Sequence, residues 1–145
     1  MFAEGRGVAQ SDEEAGKWWR KAADQGDAQA QYSLGLMFAE GRGVAQSDEE
    51  AGKWWRKAAD QGNVQAQYSL GLMFAEGRGV AQSDEEAGKW WRKAADQGHA
   101  TAQLSFGALL RIAAAWHRLF SMERVPGKYR YRSPLSRGFK GKYRG

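Results

Sequence analysis

The sequence predicts an all-α solenoid of antiparallel helix pairs, and three observations carry that expectation. A block of 36 residues recurs with Met1, Met37 and Met73 in the same phase, and Met1–Gly26, Met37–Gly62 and Met73–Gly98 are identical. A period in this range belongs to stacked repeats, in which each unit buries its apolar face on its neighbours. Apolar residues recur at helical spacing in two segments of each unit, while no segment alternates with the period of two that a half-buried strand needs.

The elements follow in order. Met1-Phe2-Ala3-Glu4-Gly5 reads as the last turn of a helix A, since the equivalent helices at 27–40 and 63–76 have about ten more residues before that point. Met1 is therefore expected to be an internal methionine of a longer reading frame with further repeats and an upstream signal peptide; the alternative is a genuine start with a frayed first helix. Without such upstream repeats the first helix B, from Asp12, would expose Trp18 or Trp19 where a helix A should pack.

Helix B of the second unit spans about Asp48–Gln61. Ser47 with Glu50 three residues later forms a capping box ahead of Ala51, Trp54, Trp55, Ala58 and Ala59, and Gly62 stands where a left-handed helix terminator belongs. Ser11 and Ser83 occupy the same place before Asp12 and Asp84, so the recurrent serines are expected to be caps and not nucleophiles. The following helix A begins near Asn63, carries Ala66, Leu70, Gly71, Met73 and Phe74 on one face, and stops at Gly77. Gly77-Arg78-Gly79-Val80 is the turn into the next helix B. Gly16, Gly52 and Gly88 lie inside helices B at about 1 kcal/mol each relative to Ala, which fits either close approach of a neighbouring helix or an inherited weak position.

From about His99 the pattern departs. Gln103-Leu104-Ser105-Phe106-Gly107-Ala108-Leu109-Leu110-Arg111 replaces Q-Y-S-L-G-L-M-F-A, and no terminating glycine follows. Helical periodicity runs on through Leu109, Ala113, Trp116 and Phe120, predicting one long helix over 99–122. It is read as a cap on the last helix B, with a membrane-surface or partner helix, or a segment foreign to the repeats, as alternatives. Residues 124–145 are rich in Gly, Pro, Ser and positive charge, a composition of disorder. Tyr129, Tyr131, Phe139 and Tyr143 among those charges suit nucleic-acid binding through phosphate contacts and base stacking; a solubilising tail or a frameshifted end fits as well.

The residues A-Q-Y-S-L-G-L-M-F-A-E-G-R-G-V at Ala30–Val44 and A-G-K-W-W-R-K-A-A-D-Q-G at Ala51–Gly62, repeated at Ala66–Val80 and Ala87–Gly98, resemble the Sel-one-like repeat family, relatives of the tetratricopeptide repeats. The resemblance covers about residues 1–107. It implies a right-handed superhelix of helix pairs, acting as an adaptor or scaffold for protein or peptide partners without chemistry or cofactor of its own. It also implies that helix A lines the concave surface. The helix A face away from Ala66, Leu70 and Phe74 is Gln65, Tyr68, Leu72 and Glu76, matched one unit earlier by Gln29, Tyr32, Leu36 and Glu40. This ladder suits an extended peptide or a helix, or the tyrosines simply pack between successive helices A.

Composition narrows the alternatives. The net charge of +5 conceals −4 over residues 1–110 and +9 over residues 111–145, so an acidic repeat body carries a basic tail. There is no cysteine, hence no disulfide and no thiolate metal site, unlike the disulfide-stapled members of the family. His99 and His117 lack carboxylates at ligand spacing, and Asp12-Glu13-Glu14 with its copies complements helix dipoles. No metal, cofactor, small-molecule substrate or enzymatic activity is expected, and no apolar run is long enough to span a membrane. The helix B stripe Lys53, Arg56 and Lys57, with copies at 17, 20, 21, 89, 92 and 93, is a second surface for an acidic partner or a solvated face with a Glu49–Lys53 pair. Each buried Trp removes about 150–250 Å² from water, worth about 4–6 kcal/mol as an upper bound, so the Trp pairs are expected to dominate stability.

Overall fold

A computed structural model describes residues 6–122, with side chains described over 11–119. The expectations for Met1–Gly5 and for the tail at 124–145 lie outside the described residues. Six helices follow one another: α1 Arg6–Asp24, α2 Ala28–Glu40, α3 Asp48–Asp60, α4 Val64–Glu76, α5 Asp84–Asp96 and α6 Ala100–Met122. No strand occurs among the described residues, and each helix packs on the next in the chain. The protein is an α-solenoid in which α2 and α3, then α4 and α5, form the antiparallel pairs.

Local chemistry sets the helix ends. Ser47 and Ser83 accept from the amides of Glu50 and Glu86 at 3.2 and 3.1 Å, which satisfies an orphan donor at the start of α3 and α5. Asp27, Asn63 and His99 do the same for α2, α4 and α6, with His99 using Nδ1 toward the amide of Ala102 at 3.0 Å. At the other end Gly77, with φ 69°, donates to the carbonyl of Met73 at 2.8 Å and ends α4 in the left-handed conformation. The turn that follows is seated on the preceding repeat. Arg78 reaches Asp48 at 3.0 Å, and a Cβ on Gly79, whose φ is 68°, would collide with the Asp48 backbone. The Gly-Arg-Gly element is thus an inter-helix turn.

Two expectations are corrected. Ser11 is not a cap: it is exposed within α1, which runs unbroken from Arg6 through the segment that forms a turn in the other units. That turn needs a floor: Gly43 rests on the backbone of Asp12, and Ser47 donates its amide to the carbonyl of Phe38 at 2.8 Å. Lys53 pairs with Glu50, three residues before it, at 3.3 Å and not with the expected Glu49, which is exposed.

The core is a chain of small clusters that straddle the repeats. Trp54 packs with Ala23, Ala30, Leu34 and Met37, and Trp90 occupies the same position one unit on, with Ala58, Ala59, Ala66, Leu70 and Met73. Trp55 and Trp91 bury against the helix A of their own pair: each indole closes on the bare α-carbon of Gly35 or Gly71 and donates to the carbonyl of Tyr32 or Tyr68 at 3.1 or 3.3 Å. The two tryptophans of a unit therefore do different work, one sealing the joint between repeats and the other locking the hairpin. The long helix α6 packs on the end of the array through Phe106 and Leu109.

Candidate partner-binding surface

The predicted ladder lies on one face of α2 and α4. Gln29, Glu40 and Gln65 are exposed, and Tyr32, Leu36, Tyr68, Leu72 and Glu76 are half-buried. The tyrosines have two tasks. Tyr32 packs beside Trp55, with ring centroids 6.4 Å apart, and hydrogen-bonds Ser69 of α4, whereas Tyr68 stacks on His99 at 4.8 Å. Each tyrosine thus links its helix A to the next while leaving part of its ring to solvent. Burial pushes the Tyr32 phenol above its ordinary value; the Ser69 hydrogen bond opposes that shift and the nearby Glu40 carboxylate adds to it. Leu36 and Glu40 further line a cleft of about 160 Å³ with Trp19, Ser33 and Arg42.

The helix B stripe is only partly solvated. Arg20 lies over the Trp54 ring at 5.4 Å and Arg56 over Trp90 at 5.4 Å, in both cases reaching from the preceding repeat. Lys57 and Lys93 cover the same rings from their own helices at 4.6 and 4.5 Å. The arginines are thus joint residues, which leaves Lys17, Lys53 and Lys89, paired to Glu14, Glu50 and Glu86, as the outward charges.

Sequence reasoning passed over the glutamines. Gln31 and Gln67 are buried; each donates to a helix B carbonyl, Ala23 or Ala59, and accepts from Gln61 or Gln97 of the next helix B at 2.8 Å. Their recurrence every 36 residues on an otherwise apolar face was the available signal. Among the described residues no three metal-ligating side chains come together, and no helix is long and apolar enough to cross a membrane.

A family model described as the Sel1 repeat matches residues 1–27, 28–63 and 64–99. The chain belongs to the Sel1 repeat family. Among solved structures it is similar to a protective antigen of uropathogenic Escherichia coli strains that displays an SLR fold, with 46% identity over 63% of this chain and a TM-score of 0.63. It is also similar to a Sel1 repeat protein from Oxalobacter formigenes, with 40% identity over 67% of this chain and a TM-score of 0.65. Cysteine rich protein B of Helicobacter pylori shares the fold at 23% identity over 60% of this chain and 65% of its own, with a TM-score of 0.58. The chain spans 20% of the first of these proteins and 39% of the second. Among curated proteins none is matched. Sel1 repeat proteins are in general scaffolds for protein interaction.

Proposed function

We propose that this Sel1 repeat protein is an adaptor that holds a peptide or protein partner along the helix A face, on Gln29, Tyr32, Leu36, Glu40, Gln65, Tyr68, Leu72 and Glu76. The observation that carries the reading is the mixed character of that face. Half-buried Tyr and Leu offer apolar contact already fixed by their neighbours, so little ordering entropy opposes binding, while exposed Gln and Glu at the edges supply hydrogen bonds. The cleft between Trp19, Leu36 and Glu40 adds a pocket at the end of the ladder for one anchoring side chain.

Affinity capture with the full chain tests this. Gln29→Lys, Glu40→Lys and Gln65→Lys together change exposed side chains that make no core contact, and circular dichroism checks that the helices remain. The expected result is a captured protein that the triple variant loses and that Lys53→Glu with Lys89→Glu, on the opposite stripe, retains. Retention by the triple variant overturns the assignment of this face.

A further inference from the structure

Charge divides between the two helices of a unit. Over residues 11–110 every lysine and arginine lies on a helix B or in a turn, whereas α2 and α4 carry a single charged residue each, Glu40 and Glu76, at the last position. Helix B follows the macrodipole: α3 and α5 open on acidic residues and hold Lys57 or Lys93 in the last turn. Helix A opposes it, with a carboxylate at its negative end and no basic residue in the last turn. Arg42 and Arg78, two residues further on, reach back to Asp12 and Asp48 at 3.3 and 3.0 Å. Neither Glu40 nor Glu76 joins an ion pair among the described residues. The unit thus keeps the dipole rule in one helix and breaks it in the other, and a broken local rule is where a functional constraint is expected.

The surface beside these carboxylates is aromatic and apolar. Leu36 lies one turn before Glu40 and Tyr32 one turn before Leu36, with Tyr68, Leu72 and Glu76 in the same order on α4. These tyrosines and leucines are half-buried on the Trp55 and Trp91 clusters, so each presents a fixed edge to solvent. Burial raises the Tyr32 phenol and the Glu40 carboxylate adds to that shift, so the field of Glu40 reaches across the strip. The hydrogen bond between Tyr32 and Ser69 brings α2 and α4 together, and packed helices lie about 8–10 Å apart. Equivalent side chains of the strip recur at about that interval. A polyproline II chain has three residues per turn and rises about 3.1 Å per residue, which puts positions i and i+3 on one face about 9 Å apart. A β-strand matches less well, because its side chains share a face at i and i+2, about 6.6 Å apart.

We infer that the helix A face takes a basic peptide in the polyproline II conformation, laid across α2 and α4 over Leu36 and Leu72, with Lys or Arg at every third position meeting Glu40 and Glu76. This names the chemistry of the partner and rests on the assignment of the helix A face as the binding surface. Proline rings between the cations lie against the leucines and the exposed edges of Tyr32 and Tyr68. The cations also satisfy the negative ends of α2 and α4, which their own sequences leave without a basic residue.

Fluorescence anisotropy with the full 145-residue chain and a labelled nonapeptide of three Lys-Pro-Pro triplets tests the inference. The expected result is saturable binding that weakens as salt is raised. A nonapeptide of the same composition with its lysines in a row should bind more weakly, and one with glutamate in place of lysine should not bind. Glu40→Gln with Glu76→Gln should weaken the Lys-Pro-Pro peptide about tenfold, the effect of losing two exposed ion pairs, without lowering the thermal midpoint. Glu49→Gln with Glu85→Gln removes the same charge from exposed positions of helix B and should leave the affinity unchanged. A Lys-Pro-Pro peptide that does not bind, equal binding of the two lysine peptides, or equal effects of the two double variants would each overturn the inference. The assignment of the face fails separately, when affinity capture with Gln29→Lys, Glu40→Lys and Gln65→Lys retains its protein. A face that passes that capture test and refuses the lysine peptides has a partner of other chemistry.

Discussion

The indole of Trp55 fills the space where Gly35 lacks a side chain, and the same fit recurs between Trp91 and Gly71. Glycine inside a helix ordinarily costs about 1 kcal/mol relative to alanine. Here it admits the largest side chain of the unit against bare backbone and places its N–H on the carbonyl of Tyr32. The hairpin between α2 and α3 is held at that point.

Gly35→Ala or Gly71→Ala should therefore destabilise the protein by about 2 kcal/mol in urea unfolding, since the methyl group meets a ring that is itself hydrogen-bonded and cannot retreat. Gly107→Ala, at the same phase of the repeat but with open space around it, should stabilise the dilute protein by up to about 1 kcal/mol. Equal effects at the three glycines would contradict the packing described.

Removing caps separates the copies in a similar way. Ser47→Ala and Ser83→Ala each lose a bond to a helix N-terminal amide and should cost about 1 kcal/mol. Ser11→Ala should be within about 0.5 kcal/mol of neutral, because Ser11 lies on the surface of a continuous helix. Thermal unfolding followed by ellipticity provides the comparison, with a Ser11 effect as large as that of Ser47 as the contrary outcome.

Truncating the joint tryptophans should show where the core is continuous. Trp54→Ala or Trp90→Ala empties a buried site between repeats and should cost about 3–5 kcal/mol, with loss of cooperativity between the flanking units. Trp18→Ala should cost less than about 1 kcal/mol in the dilute chain, since its ring is already largely in water.

Tyr32 gives a pH signature. Its phenol is raised by burial, so the folded state holds the proton more tightly than the unfolded chain does. That contribution to stability is complete below the ordinary tyrosine value of about 10 and is lost as pH rises through the folded value. Phenolate absorbance should show one late-titrating tyrosine that Tyr32→Phe removes. Titration of Tyr32 at the ordinary tyrosine value would refute the assignment.

Much of this was legible in the chain. The 36-residue period, the caps at Ser47 and Ser83, and the long helix from His99 each follow from local chemistry, because a side chain two or three residues from an orphan amide needs no distant partner to act. The exposed positions of the helix A face, Gln29, Glu40 and Gln65, were legible too, since helical phase alone separates them from Ala66 and Leu70. The double duty of Tyr32 and Tyr68 was not, because Ser69 and His99 meet them only once successive helices A are stacked.

The sequence by itself determined the elements, their order and the faces they bury. Tertiary structure alone decided what each copy does with the same residues. Met1–Gly26 and Met37–Gly62 are identical, yet Ser11 lies within a helix where Ser47 caps one, and Trp18 is exposed where Trp54 is enclosed. Identical local sequence carries identical local preference, so the differences between the copies come from their neighbours. A Gly-x-Gly turn holds where a preceding repeat gives it a floor, and an indole leaves water where an adjoining helix leaves it a slot.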